Sequence, residues 1–156
     1  MAKNYKRILA PLDGSQLSEQ ALEDVKAVAA GKKDCLITLL MVVEPILQVY
    51  LVDYFNVEDY EAAERRHEAE AKEYLIGIAE EMTGAGMRVE VELIVGGTAD
   101  EAILDYTKEN NIDIIVMSTH GRSGVHRWIF GSVTQRVLRH SPVPVLIVPP
   151  TGFRRD

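Results

Sequence analysis

The sequence predicts a three-layer α/β domain built on a mainly parallel sheet. Five short apolar runs alternate along the chain with four stretches of helical periodicity. Two of those runs, Cys35–Val43 and Asp113–Ser118, are almost continuously apolar, as expected of strands buried on both faces. The length of 156 residues suits one domain over 1–156. A chain of that size buries roughly 70% of its unfolded surface, so it needs no disulfide or metal staple.

The elements follow in order. Lys6–Leu12 reads as the first strand and is ended by the turn signal Asp13-Gly14-Ser15. Ser18 or Ser15 caps the next helix, where Ala21, Leu22, Val25, Val28 and Ala29 follow helical spacing until Gly31. Pro45 closes the second strand. Ile46–Tyr60 holds four aromatic residues and reads equally as a loop, a short helix or a cover over a pocket. A charged helix runs from about Glu58 to Met82, with the stripe Ala71, Leu75, Ile78 and Met82. Glu61 with Arg65 and Glu68 with Lys72 are spaced as favourable i,i+4 pairs. Met87–Val95 is the third strand, and Gly96-Gly97 breaks it. Thr98 to Glu101 has the form of a capping box and starts a helix. Ser132 opens the last helix, and Val143–Val148 is the last strand. Pro142, Pro144 and Pro149 place that strand at an edge, because proline cannot donate to a ladder. An apolar edge attracts other strands, so a partner subunit is its natural cover.

Composition narrows the classes. Hydrophobic residues make up 47% and charged residues 26%, which excludes a disordered tail protein. No apolar run reaches the ~18 residues of a membrane span. The N-terminus lacks the pattern of a signal peptide, so a cytoplasmic location is expected. The single cysteine, Cys35, excludes an internal disulfide and a four-cysteine zinc site. A net charge of −7 argues against general nucleic-acid binding. The charge is uneven. Residues 114–155 contain no carboxylate but six arginines lie between 114 and 156, which suits a local anion site.

In open parallel sheets ligands bind beyond the carboxyl ends of the strands, where the strand order reverses. The residues that follow the first and fourth strands are therefore the candidates. The first are Asp13-Gly14-Ser15. The second are Thr119-His120-Gly121-Arg122-Ser123-Gly124, then Val125–Phe130, then Gly131-Ser132-Val133-Thr134. Gly131-Ser132 opens a helix, whose unpaired N–H groups and dipole favour an anion. Ser132 and Thr134 add hydroxyls, and Arg122, His126 and Arg127 add charge. A P-loop, a dinucleotide fingerprint after strand one, a Gly-x-Ser-x-Gly elbow and a zinc-type histidine pair are all absent.

The run Tyr5–Ser15, the stretch Asp113–Gly124 continued by Phe130–Thr134, and Ser141–Val148 together resemble the universal stress protein family, over about residues 4–149. The resemblance implies five parallel strands in the order 3-2-1-4-5, with helices on both faces in a Rossmann-like sandwich. It also implies ATP, or AMP or ADP, bound through Gly-x-x-Gly-x9-Gly-Ser/Thr. Here Gly121, Gly131 and Ser132 match that motif, and Ser118 stands where its first glycine would be. By position, Asp13 would accept from ribose hydroxyls or help hold a metal. Pro11 and Leu12 would line the adenine, and the Val42 backbone would read its edge. Met117 and Ser118 would pack near base or sugar. Gly121, Gly131, Ser132 and Val133 would bind phosphates through backbone amides, with His120 and Arg122 at hand. Magnesium or manganese would accompany the phosphates. Family members also pair through the last strand, so a homodimer through 143–148 is expected.

The expected function is nucleotide binding in a regulatory, stress-response role exerted through a protein client. One alternative is a slow ATPase. A second is a nucleotide-free dimeric interaction protein. Hydrolysis needs a group that orients water, and only His120, His126 and Asp13 qualify, with no base–orienter pair visible. No membrane or nucleic-acid partner is expected.

Overall fold

The protein is described by a computed structural model over residues 4–45, 57–119 and 130–151. One sheet of five strands has the order β3-β2-β1-β4-β5. The strands are β1 (Arg7–Leu12), β2 (Leu36–Val43), β3 (Arg88–Val95), β4 (Ile114–Ser118) and β5 (Val145–Val148). Every pairing is parallel. The helices are α1 (Gln16–Glu19), α2 (Ala21–Ala29), α3 (Val57–Gly84), α4 (Ala99–Glu109) and α5 (Ser132–His140).

Strand alternation sorts the core into two layers. Ile8, Ala10, Leu12, Ile37, Leu39 and Met41 face α2 and α3, which contribute Val25, Leu75 and Met82. Leu9, Leu40, Ile115 and Met117 face α4 and α5, which contribute Ile103 and Val137. The stripe expected on the charged helix is present: Ala71, Leu75 and Met82 are buried and Ile78 packs beside them. Ala71 is its first buried residue among those described; before it Glu64, His67 and Glu68 are only half-buried. Glu61 meets Arg65 at 3.5 Å on the exposed face. Among the described residues, Glu68 and Lys72 form no ion pair.

Several expected boundaries move, each for a local reason. The single helix expected after β1 is broken at Gln20, whose N–H turns back to the Ser18 carbonyl. Ser15, not Ser18, is the cap; its hydroxyl accepts from the Ser18 N–H at 3.1 Å. Gln20 also accepts from the Thr151 N–H at 2.9 Å, which ties the chain after β5 to this break. β3 begins one residue late, because the Met87 N–H still donates back to Met82 of α3. Asp113 lies just before β4, and its carboxylate accepts from the Lys6 and Arg7 N–H groups at 2.7 and 2.9 Å. β5 begins at Val145, since Ser141 and Val143 are engaged in a local turn. It is an edge strand, as the prolines require. Thr98 has the extended backbone of an N-cap but makes no side-chain cap bond, so the hydroxyl half of the expected capping box is missing. Of the stretch 46–60, residues 46–56 lie outside the described residues and 57–60 open α3.

No helix among the described residues is long and apolar enough to cross a membrane. Leu75 is fully buried and pins α3 to the sheet, so Leu75→Ala should lower unfolding free energy by about 2–5 kcal/mol in denaturant titration. Burial pushes the Cys35 thiol up, against an opposing pull from Lys32. Burial also raises the Tyr74 and Tyr106 hydroxyls, helped by Glu19 and Glu90 respectively. The native state therefore keeps protons that the unfolded chain releases from about pH 8.5 (thiol) to about pH 10 (phenols). Stability is complete below that window and falls as pH rises through it. The urea midpoint should drop between about pH 8 and about pH 10.5, and Cys35→Ala should reduce the drop.

Candidate functional site

β1 and β4 are neighbours for only two ladder pairs, Ile8 with Ile114 and Leu9 with Ile115, whereas β1 stays paired with β2 as far as Leu12. Pro11 has no N–H with which to extend the shorter ladder. Beyond Leu9 the two strands part, and a cleft of about 280 Å³ opens at the carboxyl edge of the sheet.

Nine of the twelve site residues expected from the sequence line this cleft: Pro11, Leu12, Asp13, Val42, Met117, Ser118, Gly131, Ser132 and Val133. His120, Gly121 and Arg122 lie outside the described residues, as do His126 and Arg127. Thr134, expected to offer a hydroxyl, lines it too. Ser18, Leu40, Ala99 and Ile103 were missed. Two of these had a signal: Leu40 shares a strand face with Val42, and Ile103 falls on the buried stripe of α4. Ser18 and Ala99 had none, because only the folded chain brings α1 and α4 to the opening.

One wall is apolar, made by Leu40, Val42, Met117 and Ile103. The other end carries the start of α5. Gly131 is its N-cap and supplies no side chain, and the first turn holds no acid. The N–H groups of Ser132, Val133 and Thr134 have no intrahelical acceptor, and the residues that carry them line the opening. One expectation is corrected here. The Gly131 N–H is already donated to the Thr119 carbonyl at 3.0 Å, so the offered amides begin at Ser132. The chain itself does not require glycine at 131. The φ of Gly131 is −57°, and a Cβ there would sit an ordinary 3.5 Å from the Thr119 carbonyl. Thr134 is likewise committed to structure, its hydroxyl donating to the Ser118 and Thr119 carbonyls at 3.2 and 3.3 Å.

Asp13 sits between wall and helix. Gly14, with φ of +81°, lets the chain reverse directly after it. The Asp13 Oδ1 accepts from the Ser15 N–H at 2.9 Å and the Ser15 hydroxyl at 2.5 Å, which fixes the carboxylate beside the turn. The Asp13 N–H donates to Ser18 Oγ at 3.3 Å, and Ser18 Oγ donates to the Ser15 carbonyl at 2.8 Å. Asp13 is the one carboxylate among the described lining residues. No group of three or more His, Cys, Asp or Glu that could hold a metal ion occurs among the described residues.

Arg136 on α5 reaches Asp100 on α4 at 2.7 Å and ties together the two helices that flank the cleft. Asp100 is only 6% exposed. Arg136→Ala would leave that carboxylate buried without its partner, and should cost about 1–3 kcal/mol of stability by thermal or chemical unfolding.

The fold and its crevice define the protein as a doubly wound α/β protein with its cleft at the switch point between β1 and β4. The sequence pattern of the universal stress protein family matches residues 4–149, and the chain belongs to that family. Universal stress protein MJ0577 of Methanocaldococcus jannaschii is 32% identical over 95% of this chain and 97% of its own length. The solved structure of MJ0577 superposes with a TM-score of 0.81 over 96% of this chain and 99% of that one. A universal stress protein in complex with cAMP matches with a TM-score of 0.68 at 21% identity, over 96% of this chain and 100% of that one. An Arabidopsis thaliana member, At3g01520 with AMP bound, matches with a TM-score of 0.65 at 16% identity, over 94% and 93%. At these identities the last two likenesses speak for the fold.

Proposed function

We propose that the cleft binds an adenine nucleotide, ATP or its diphosphate or monophosphate relatives, and that the protein acts as a nucleotide-dependent regulator of a protein client in the stress response. The observation that carries this is the convergence, in one cleft, of an apolar wall, a fixed carboxylate and the open first turn of α5. A purine ring is flat and apolar on its faces and suits Leu40, Val42 and Met117. Ribose hydroxyls are donors and suit Asp13. Phosphates are anions and suit the amides of Ser132, Val133 and Thr134. The cAMP and AMP complexes of the two distant relatives support an adenine ligand. Ser118 is buried at the carboxyl end of β4 with its residue already lining the cleft, so a side chain at this motif position leaves room for the opening.

Helix-dipole attraction alone supplies about 0.3–1 kcal/mol, up to ~2 when partly buried, so the amides and hydroxyl must act together. A divalent ion, magnesium or manganese, would be held mainly through phosphate oxygens, with Asp13 the described carboxylate at hand. Binding is favoured over hydrolysis, because Asp13 is the one carboxylate among the described lining residues and no base–orienter pair for water is visible in the sequence. The expected homodimer would form through β5, where Leu146 is 37% exposed on a strand paired on one side only. Leu146→Glu should shift a dimer to monomer in sedimentation velocity, and an unchanged sedimentation coefficient would sink that interface.

The test of the cleft is calorimetric titration of ATP with magnesium, with a turnover assay alongside. Ser132→Pro is the informative variant. Proline suits the first helical position, and Gly131 before it, with φ −57° and ψ 156°, already has the backbone that precedes proline. The helix should survive with an unchanged melting temperature, while loss of one amide and one hydroxyl weakens ATP about tenfold and adenosine little. Absence of saturable ATP binding by the nucleotide-free wild type would overturn the proposal.

A further inference from the structure

The turn that carries Asp13 leans on α1, and α1 is too short to stand alone. It has four residues and is broken from α2 at Gln20. A single helical turn fixes several dihedrals for one hydrogen bond and does not persist without outside contacts. One such contact comes from α3. The Tyr74 hydroxyl donates to Glu19 Oε1, the last residue of α1, at 2.8 Å. Just before Glu19 in sequence lies the bonded group Asp13, Ser15 and Ser18, closed on itself by five bonds that each use a side chain. Glu19 joins it through its own N–H, which donates to the Ser15 carbonyl at 3.3 Å.

We infer that Tyr74 is a positioning residue for the cleft: through Glu19 it fixes α1, and through α1 it sets the Asp13 carboxylate at the angle that reads ribose hydroxyls. The inference rests on the nucleotide reading of the cleft. Tyr74 is not among the residues that line the cleft. Its ring packs against the layer under α2 and α3, so its body is held in place while the hydroxyl meets the end of α1 at Glu19 and Ser18. The phenol feels the charges of both Glu19 and Asp13, which places it within electrostatic reach of the carboxylate in the cleft. Burial and the bond to Glu19 keep it protonated, and therefore a donor, well beyond neutral pH.

Packing and positioning separate in one experiment. Tyr74→Phe keeps the ring and deletes the donor. Affinities for ATP and for 2′,3′-dideoxy-ATP, which lacks both ribose hydroxyls, are measured in the wild type, Tyr74→Phe, Asp13→Asn and the double variant. The wild type should prefer ATP. Tyr74→Phe should weaken ATP about fivefold, the worth of one net hydrogen bond, and leave dideoxy-ATP unchanged. The double variant should bind ATP no worse than Asp13→Asn alone. Glu19→Gln, whose amide oxygen still accepts from the phenol, should retain the preference for ATP, and Glu19→Ala should lose it. Equal weakening of both nucleotides in Tyr74→Phe would reduce its role to packing and overturn the inference. So would additive losses in the double variant. Saturable ATP binding with no preference over dideoxy-ATP would remove the role of Asp13 and this inference, yet leave the nucleotide reading standing. No binding of either nucleotide would overturn both.

Discussion

Two parallel strands cannot be joined by a tight turn; the chain must cross over between them, and it does so with one hand. That constraint organises this molecule. From β1 the chain steps outward to β2 and β3, so α2 and α3 fall on one face of the sheet. It then returns past β1 to β4 and β5, and the same hand puts α4 and α5 on the other face. At the carboxyl edge the connections after β1 and β4 must leave in opposite directions. A gap opens there for reasons that no single residue decides. What individual residues decide is its depth: Pro11 adds no donor to the β1–β4 ladder, and Gly14 turns the chain away immediately after Asp13.

The sequence made the skeleton readable because burial leaves a simple trace. The unbroken apolar run of β2 and the spaced stripe of α3 each record how many faces an element hides. The prolines around β5 record an unpaired edge. The site was readable to the extent that it follows the ends of β1 and β4. Pro11, Val42 and Met117 were not legible from spacing and came only with the family resemblance; the fold brings the three to one cleft. Less readable were bonds between partners remote in sequence or dependent on exact backbone geometry. Asp113 looked like the start of a strand and instead caps the N–H groups of Lys6 and Arg7. Thr98 had the right neighbours for a capping box and makes no such side-chain bond. Gly131 looked like an amide donor to a ligand and is already spent on Thr119. Periodicity carries no information about such bonds.

Charge shows the same division between global and local. The chain is acidic, with a net charge of −7, yet no acid occupies the first turn of α5, and its last turn carries Arg139 and His140. Both ends of that helix thus follow its dipole. Asp100, at the start of α4, is bound to Arg136 of α5. An acidic surface and an anion-receptive cleft coexist because a helix terminus acts within about one turn, whereas the net charge is spread over the whole surface.

The two-pair ladder between β1 and β4 also makes the sheet unequal as a piece of mechanics. On one side lie β1, β2 and β3, laced by six and eight paired residues; on the other lie β4 and β5, laced by four. The shortest seam runs between these two plates, and the cleft is the open end of that seam. Anything lodged there and gripping both Asp13 and the start of α5 spans the two plates. Such a guest is a rivet: it bridges the shortest seam of the sheet, and it stabilises the joined plates by an amount set by its concentration and affinity.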